Sequence, residues 1–340
     1  MRTDLILGGV MVVALVLYVL FGGADFGGGV WDLLATGPRK RAQRALIEKA
    51  IGPIWEANHV WLILVVVLLF AGFPRAFAAL ATALHVPMTL FLIGVVFRGS
   101  AFTFRAYDSR ADRQQKRWGM MFSIASVLSP ILLGMIVGTV ASGRIRVEGT
   151  TITSGFFKPW LALFPFSVGL YALALFAFLA AVYLANETDD RALQNDFRKR
   201  AILSGAAVGV LAAVCFTLSR TSATVIARGL TDHPITWPLH VLTGASALTA
   251  FYALHRRRFA LARLAAAAQT TMILLGWTAS QYPYLIVPDV SLEAAAGNPR
   301  TRLYLVIALA AGSLLLFPSL YVLFRIFKGK RAFDVMDGKD

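Results

Sequence analysis

Long apolar runs alternate with short polar loops along most of the chain. A helix that crosses a bilayer needs about 20 mostly apolar residues. Nine stretches have this length and pattern: 5–34, 53–72, 76–104, 118–142, 160–185, 201–220, 236–254, 259–282 and 302–327. The loops are too short to fold by themselves. We therefore predict an all-α polytopic membrane protein with about nine transmembrane helices, forming a single integral membrane domain over 1–340.

The basic residues indicate how these spans cross the membrane. Counted over alternate loops, one side carries 23 Lys and Arg residues and the other carries nine. Cytoplasmic loops are enriched in Lys and Arg. We therefore expect the N-terminus outside and the C-terminus in the cytoplasm. The first apolar run is longer than that of a signal peptide, so we expect it to remain as a span.

Composition supports a membrane protein and excludes other classes. Hydrophobic residues make up 58% of the chain and charged residues 15%, against about 45–50% and 25% in soluble domains. The net charge of +15 comes from clusters between apolar runs, so we expect no nucleic-acid partner. The lone Cys215 lies within a span and excludes an internal disulfide; we interpret it as a packing residue.

Three charged residues stand out inside the predicted spans: Asp25, Glu56 and Arg98. A charge at the centre of a bilayer costs about 2.5–3.5 kcal/mol, so such residues are functional candidates by default. From the helical rise, Asp25 lies about 14 Å from the cytoplasmic end of its span, and Glu56 and His59 lie about 5 and 9 Å in. We expect the three charged residues and His59 to converge in the cytoplasmic half of the membrane. They form either a proton track or an ion-pair cluster that fixes packing.

Glycines and histidines allow weaker interpretations. Asp25 is flanked by Gly22, Gly23 and Gly27–Gly29, which indicates either close helix packing or, less favoured, an unwound ion site. The five histidines do not form a pair at matching depth. Haem or metal sites usually need paired ligands, so we expect no haem or metal bound by this chain alone.

Several segments resemble, in order, subunit II of cytochrome bd-type quinol oxidases. The most specific is IGPIWEANHVWLI at 51–63. The others are GADFGGG at 23–29, RGSAFTFR at 98–105, YLANET at 183–188 and YPYLIVP at 282–288. The resemblance therefore covers nearly the whole chain.

This resemblance implies two four-helix bundles plus one peripheral helix, paired with a haem-bearing subunit I. In such oxidases subunit I holds haems b and d and the quinol site. Subunit II braces it and contributes to a cytoplasmic proton uptake path. The complex oxidises quinol, reduces dioxygen to water and builds a proton gradient, which implies a location in the bacterial cytoplasmic (inner) membrane. A small accessory subunit, and a structural quinone or membrane lipid against this chain, remain open.

The resemblance also assigns roles to the intramembrane residues. We expect Glu56 to be the cytoplasmic uptake carboxylate and Asp25 the deeper relay group. Arg98 would be the charge partner of Asp25. Asn58 and His59 would supply hydrogen bonds or relay capacity.

The sequence departs from the family pattern at three polar positions. Gly22 replaces an acid of the first-helix motif, Thr103 an acid of the third-helix motif, and the segment around Ser129 lacks a glutamine of the fourth helix. These losses keep a purely structural brace that binds lipid open as the nearest alternative. A proton-coupled secondary transporter, built on the glycine-rich segment near Asp25, is a less favoured alternative.

Overall fold

The computed structural model describes residues 2–52, 55–107, 112–149 and 151–328, and they are predominantly helical. The helices are α1 (Thr3–Leu33), α2 (Lys40–Ile51), α3 (Trp55–Gly72), α4 (Pro74–Ala83), α5 (His85–Tyr107), α6 (Asp112–Ala141), α7 (Leu163–Asn186), α8 (Arg191–Ser222), α9 (Thr224–Asp232), α10 (Thr236–His255), α11 (Phe259–Gln281), α12 (Leu292–Ala295) and α13 (Pro299–Lys328). Two antiparallel hairpins pair β1 (Val147–Glu148) with β2 (Thr151–Ile152), and β3 (Tyr284–Ile286) with β4 (Val290–Ser291).

The predicted all-α membrane class is confirmed, while the count of nine spans stays a prediction. Within the described residues, seven helices are long and apolar enough to cross a membrane. The bent pair α2–α3 would make an eighth if it is one broken span. Helix α10 covers the predicted span 236–254 but is not among the seven.

Two predicted boundaries were wrong for identifiable reasons. The span 76–104 is divided at Leu84 into α4 and α5. Pro87, in the first turn of α5, has no backbone N–H to bond the carbonyl of Ala83, which removes one of the hydrogen bonds that would join the two segments. The basic segment 39–49, expected to be a loop, is mostly the amphipathic helix α2, which buries Gln43 and Ile47.

The helices form two groups, which we name by their central members. In the α1 group, α1 packs on α3 and α6, and α5 packs on α6. In the α7 group, α7 packs on α8 and α11, and α10 packs on α11. Contacts of α7 with α1 and α6 join the groups, and α13 lies outside, against α1 and α3. The arrangement agrees with two four-helix bundles and one peripheral helix.

Glycines allow α1 to approach its neighbours closely. A Cβ on Gly27 would overlap the backbone carbonyl of Phe176 on α7, and one on Gly29 would overlap Ser126 on α6. The helix itself is continuous from Thr3 to Leu33. The close-packing interpretation of this segment is therefore correct, and the unwound ion site is not present.

Candidate functional site

A buried carboxylate lies at the centre of the α1 group. Asp25 is only 5% exposed. The side-chain amide of Asn58 on α3 donates a hydrogen bond of 2.7 Å to its Oδ2 atom. Both residues lie where α1 and α3 face each other, so two predicted site residues are in direct contact.

The fully buried Arg98 approaches Asp25 from α5. Its guanidinium interacts electrostatically with the Asp25 carboxylate and stacks over the rings of Phe26 and Phe122, at 4.8 and 5.2 Å from their centroids. Its Nε atom donates to Ser126 Oγ on α6 at 3.1 Å. Arg98 therefore lies close enough to Asp25 to act on its charge, and aromatic faces and a hydroxyl complete its surroundings.

Aromatic rings close one side of the cluster. His59 packs against Tyr18 and Phe26, with ring centroids 5.9 Å away in both cases. Tyr18 is fully buried, and its ring lies about where a side chain on Gly22 would begin. The phenol therefore fills the space beside the missing first-helix acid.

Glu56 lies apart from the buried cluster. Residues 56 and 58 are two positions apart on α3, so their side chains point to nearly opposite sides of the helix. Glu56 is exposed and lines a groove of about 510 Å³ between α3 and α5, together with His59, Gly99 and Thr103. Of the four residues expected to converge, Asp25, His59 and Arg98 lie together. Glu56 lies outside this cluster, in the groove between α3 and α5.

The sequence analysis overlooked a second buried carboxylate, Asp32, at the end of α1. It is 1% exposed, accepts a hydrogen bond of 3.0 Å from Ser123 Oγ on α6, and lies 3.6 Å from the Nε atom of Arg44 on α2. Its position near the helix end made it look solvated. The available signal was its spacing of seven from Asp25, which places both acids on one helix face.

A polar bridge joins the two helix groups at their basic end. Asp196 on α8 accepts hydrogen bonds of 2.6 and 2.8 Å from Arg39 and one of 2.8 Å from Gln43 on α2. Arg200 donates to Gln43 Oε1 at 2.8 Å. The hydrogen bond to Asp196 raises the pKa of the Arg39 guanidinium above its ordinary value.

Comparison with known proteins decides the family. A family model described as cytochrome bd terminal oxidase subunit II matches residues 3–327. The chain belongs to this family. As a subunit II of cytochrome bd oxidase, it is part of a membrane quinol oxidase complex and pairs there with a subunit I. It is a non-catalytic subunit of that complex.

Individual relatives agree with this assignment. A Bacillus subtilis protein provisionally described as cytochrome bd menaquinol oxidase subunit II is 23% identical, over 92% of this chain and 91% of its own length. The cytochrome bd-I ubiquinol oxidase subunit 2 of Escherichia coli is 28% identical over 61% of this chain and 53% of its own. The structure of bd oxidase from Geobacillus thermodenitrificans superposes with a TM-score of 0.81 at 22% identity, covering 96% of this chain and 99% of that one.

Proposed function

We propose that this subunit II braces the haem-bearing subunit I and provides part of a cytoplasmic proton uptake path to the site of oxygen reduction. Reducing one dioxygen molecule to two water molecules consumes four protons along with four electrons. Those protons must cross hydrocarbon, where ionisable side chains are tolerated mainly along such routes or in ion pairs. The observation that carries the proposal is Asp25, buried yet held by Asn58 and by the charge of Arg98.

Asp25 is suited to hold a proton transiently. Burial disfavours its charged form, while the hydrogen bond from Asn58 and the positive charge of Arg98 favour it. The guanidinium stays charged whether or not Asp25 carries a proton, so it stabilises the carboxylate form whenever Asp25 has released its proton.

The groove between α3 and α5 is suited to proton uptake. Glu56 is exposed in it, and the half-buried His59 reaches from the groove to the rings beside the Asp25 cluster. The helix orientation that follows from the basic loops places this end of α3 in the cytoplasmic half. In this proposal Glu56 takes up protons and His59 borders their path to Asp25.

The haems belong to the partner in this proposal. We place haems b and d and the quinol site in subunit I, as the resemblance to the family implies. The wide apolar exterior and the groove leave room for a lipid or a structural quinone.

The test uses the assembled oxidase with this subunit carrying Glu56→Gln or Asp25→Asn. We expect oxygen consumption per haem to fall about tenfold or more, because positioned proton-transfer groups contribute about 10²–10⁴-fold. Haem content should be retained. Proton uptake by vesicles containing the complex should fall in parallel.

A matched control is Glu187→Gln. Glu187 also lies at the basic end, but it pairs with Arg263 in the α7 group, with an N–O distance of 3.6 Å. Normal turnover in this control is expected. If Glu56→Gln and Asp25→Asn also keep normal turnover per assembled complex, the proton path is refuted and the purely structural brace is supported.

A further inference from the structure

Besides Asp25, α1 buries another carboxylate towards its basic end, Asp32, which has no role in the path described so far. Asp32 is two helical turns from Asp25, about 10 Å along the axis towards the basic end. Both side chains are almost completely buried. Both are contacted by helices of the same group, Asp25 from α3 and Asp32 from α6.

Helix α6 carries a row of hydroxyl groups between the two acids. Ser123, Ser126 and Ser129 recur every three residues, and all three are fully buried. Ser123 donates to Asp32, and Ser126 accepts from Arg98, which in turn interacts with Asp25. Serine hydroxyls of α6 therefore contact the polar groups at both ends of this part of α1, Asp32 at the basic end and Arg98 at the buried cluster.

A partly exposed side chain contacts Asp32 at the basic end. The Arg44 side chain is 32% exposed, and its guanidinium also donates to the backbone carbonyl of Asp32 at 3.2 Å. Asp32 is therefore in contact with a group that reaches the surface. Glu56, by contrast, opens sideways into the groove between α3 and α5.

We infer that Asp32 is a second proton uptake carboxylate, which loads protons at the basic end and passes them along the α1–α6 seam to Asp25. The inference rests on the proposed proton path. A proton from bulk water binds an Asp32 carboxylate oxygen, and the Ser123 hydroxyl passes one on to water in the seam. Asp25 accepts the proton that emerges. One proton moves from bulk water to Asp25, and no electron is transferred.

The test compares Asp32→Asn, Asp32→Glu and Ser123→Ala in the assembled oxidase. For Asp32→Asn we expect turnover per haem to fall about tenfold, less than the full contribution of a proton-transfer group because Glu56 stays available. The ratio of rates in H₂O and D₂O should rise, since proton delivery becomes limiting. Asp32→Glu should restore turnover, and Ser123→Ala, which keeps the carboxylate, should also slow turnover. Asp196→Asn, an acid of the α7 group, should leave turnover and the isotope ratio unchanged.

Three outcomes would overturn the inference. The first is normal turnover and an unchanged isotope ratio in Asp32→Asn or, if that variant does not assemble, in Ser123→Ala. The second is a loss in Asp32→Asn confined to haem content. The third is a Glu56→Gln/Asp32→Asn double variant no slower than Glu56→Gln. If Glu56→Gln and Asp25→Asn are slow in the same assay, only the second route fails and the proposed function stands.

Discussion

The two helix groups differ in what they bury. The α1 group encloses Asp25, Asp32 and Arg98, each at most 5% exposed. Among the described residues of α7, α8, α10 and α11, the buried polar side chains are all neutral: Ser167, Ser204, Ser219, Thr236, Gln269, Thr270, Ser280 and Gln281. Charges of the α7 group, such as Asp196 and Glu187, lie near its ends.

Under the proposed function, this difference separates a region that conducts protons from a region that stabilises the fold. Burying an ion costs several kcal/mol, and a fold can avoid that cost by placing apolar residues there instead. The α7 group does so, and α7 itself buries aromatic and small apolar side chains such as Phe176, Phe178 and Ala181. The α1 group keeps its charges, so we expect its variants to affect turnover and those of the α7 group to affect only stability.

The largest effect is expected at the charge centre of the α1 group. Arg98→Met removes a buried cation and leaves the Asp25 carboxylate without its compensating charge. Breaking a buried pair in this way costs about 3–5 kcal/mol. We expect the variant oxidase to show a strongly lowered midpoint of thermal unfolding and poor haem content.

A double variant separates charge from packing. Arg98→Met combined with Asp25→Asn removes both charges, so it should recover much of the lost stability while turnover stays low. A double variant as unstable as the single one would show that Arg98 acts through its packing on Phe26 and Phe122.

The next effect concerns the seam between the two groups. In Gly27→Val the added side chain would overlap the backbone of Phe176. A backbone group cannot move aside as a flexible side chain could. Overpacking of this kind costs about 1–3 kcal/mol or more, and thermal unfolding of the purified complex should report it. Gly9→Val is the control on the same helix, because nothing lies within 4 Å of the added Cβ. Equal midpoints for the two variants would contradict the tight seam.

The fold was largely predictable because hydrocarbon limits the choices. A span must be a long apolar helix, so the positions of α1, α6, α7, α11 and α13 could be found from hydropathy. Short elements outside the hydrocarbon have no such requirement. Helix α2 and the two hairpins were therefore missed, and the polar first part of α8 was too. Asp190 caps that part by accepting from the backbone N–H of Ala192 at 2.7 Å, a local signal that was available.

The site was predictable in composition but not in geometry. Asp25, Glu56 and Arg98 could be identified because each is a charged residue within an apolar run. The direction in which each side chain points depends on how the helices pack. Only the structure therefore placed Glu56 in the groove between α3 and α5, and Asn58 against Asp25. Asp32 escaped notice because depth was judged from span ends, and α2 covers that end.

A smaller effect compares one amide in each group. Asn58→Leu removes a hydrogen bond to the buried Asp25, which costs about 1.5–3 kcal/mol for a charged acceptor. Gln269→Leu on α11 removes a buried amide whose Oε1 atom has no hydrogen-bond partner among the described residues. That change should be neutral or stabilising by up to about 1 kcal/mol. Thermal unfolding midpoints and turnover should both fall for Asn58→Leu only; a comparable loss in Gln269→Leu would remove the contrast between the groups.

The smallest effect is expected where the two groups meet at the surface. Arg39 donates two hydrogen bonds to Asp196, but its side chain is 48% exposed, so water and salt screen the pair. Arg39→Gln should lower the unfolding midpoint only slightly, and the difference should vanish at high salt. The raised pKa of Arg39 means that its contribution is present below its ordinary pKa and is lost only as pH rises through the still higher folded value. Between pH 6 and 9 the wild-type and variant midpoints should therefore differ by a constant amount. A difference that grows within that range would show that another titrating group, and not this ion pair, holds α2 against α8.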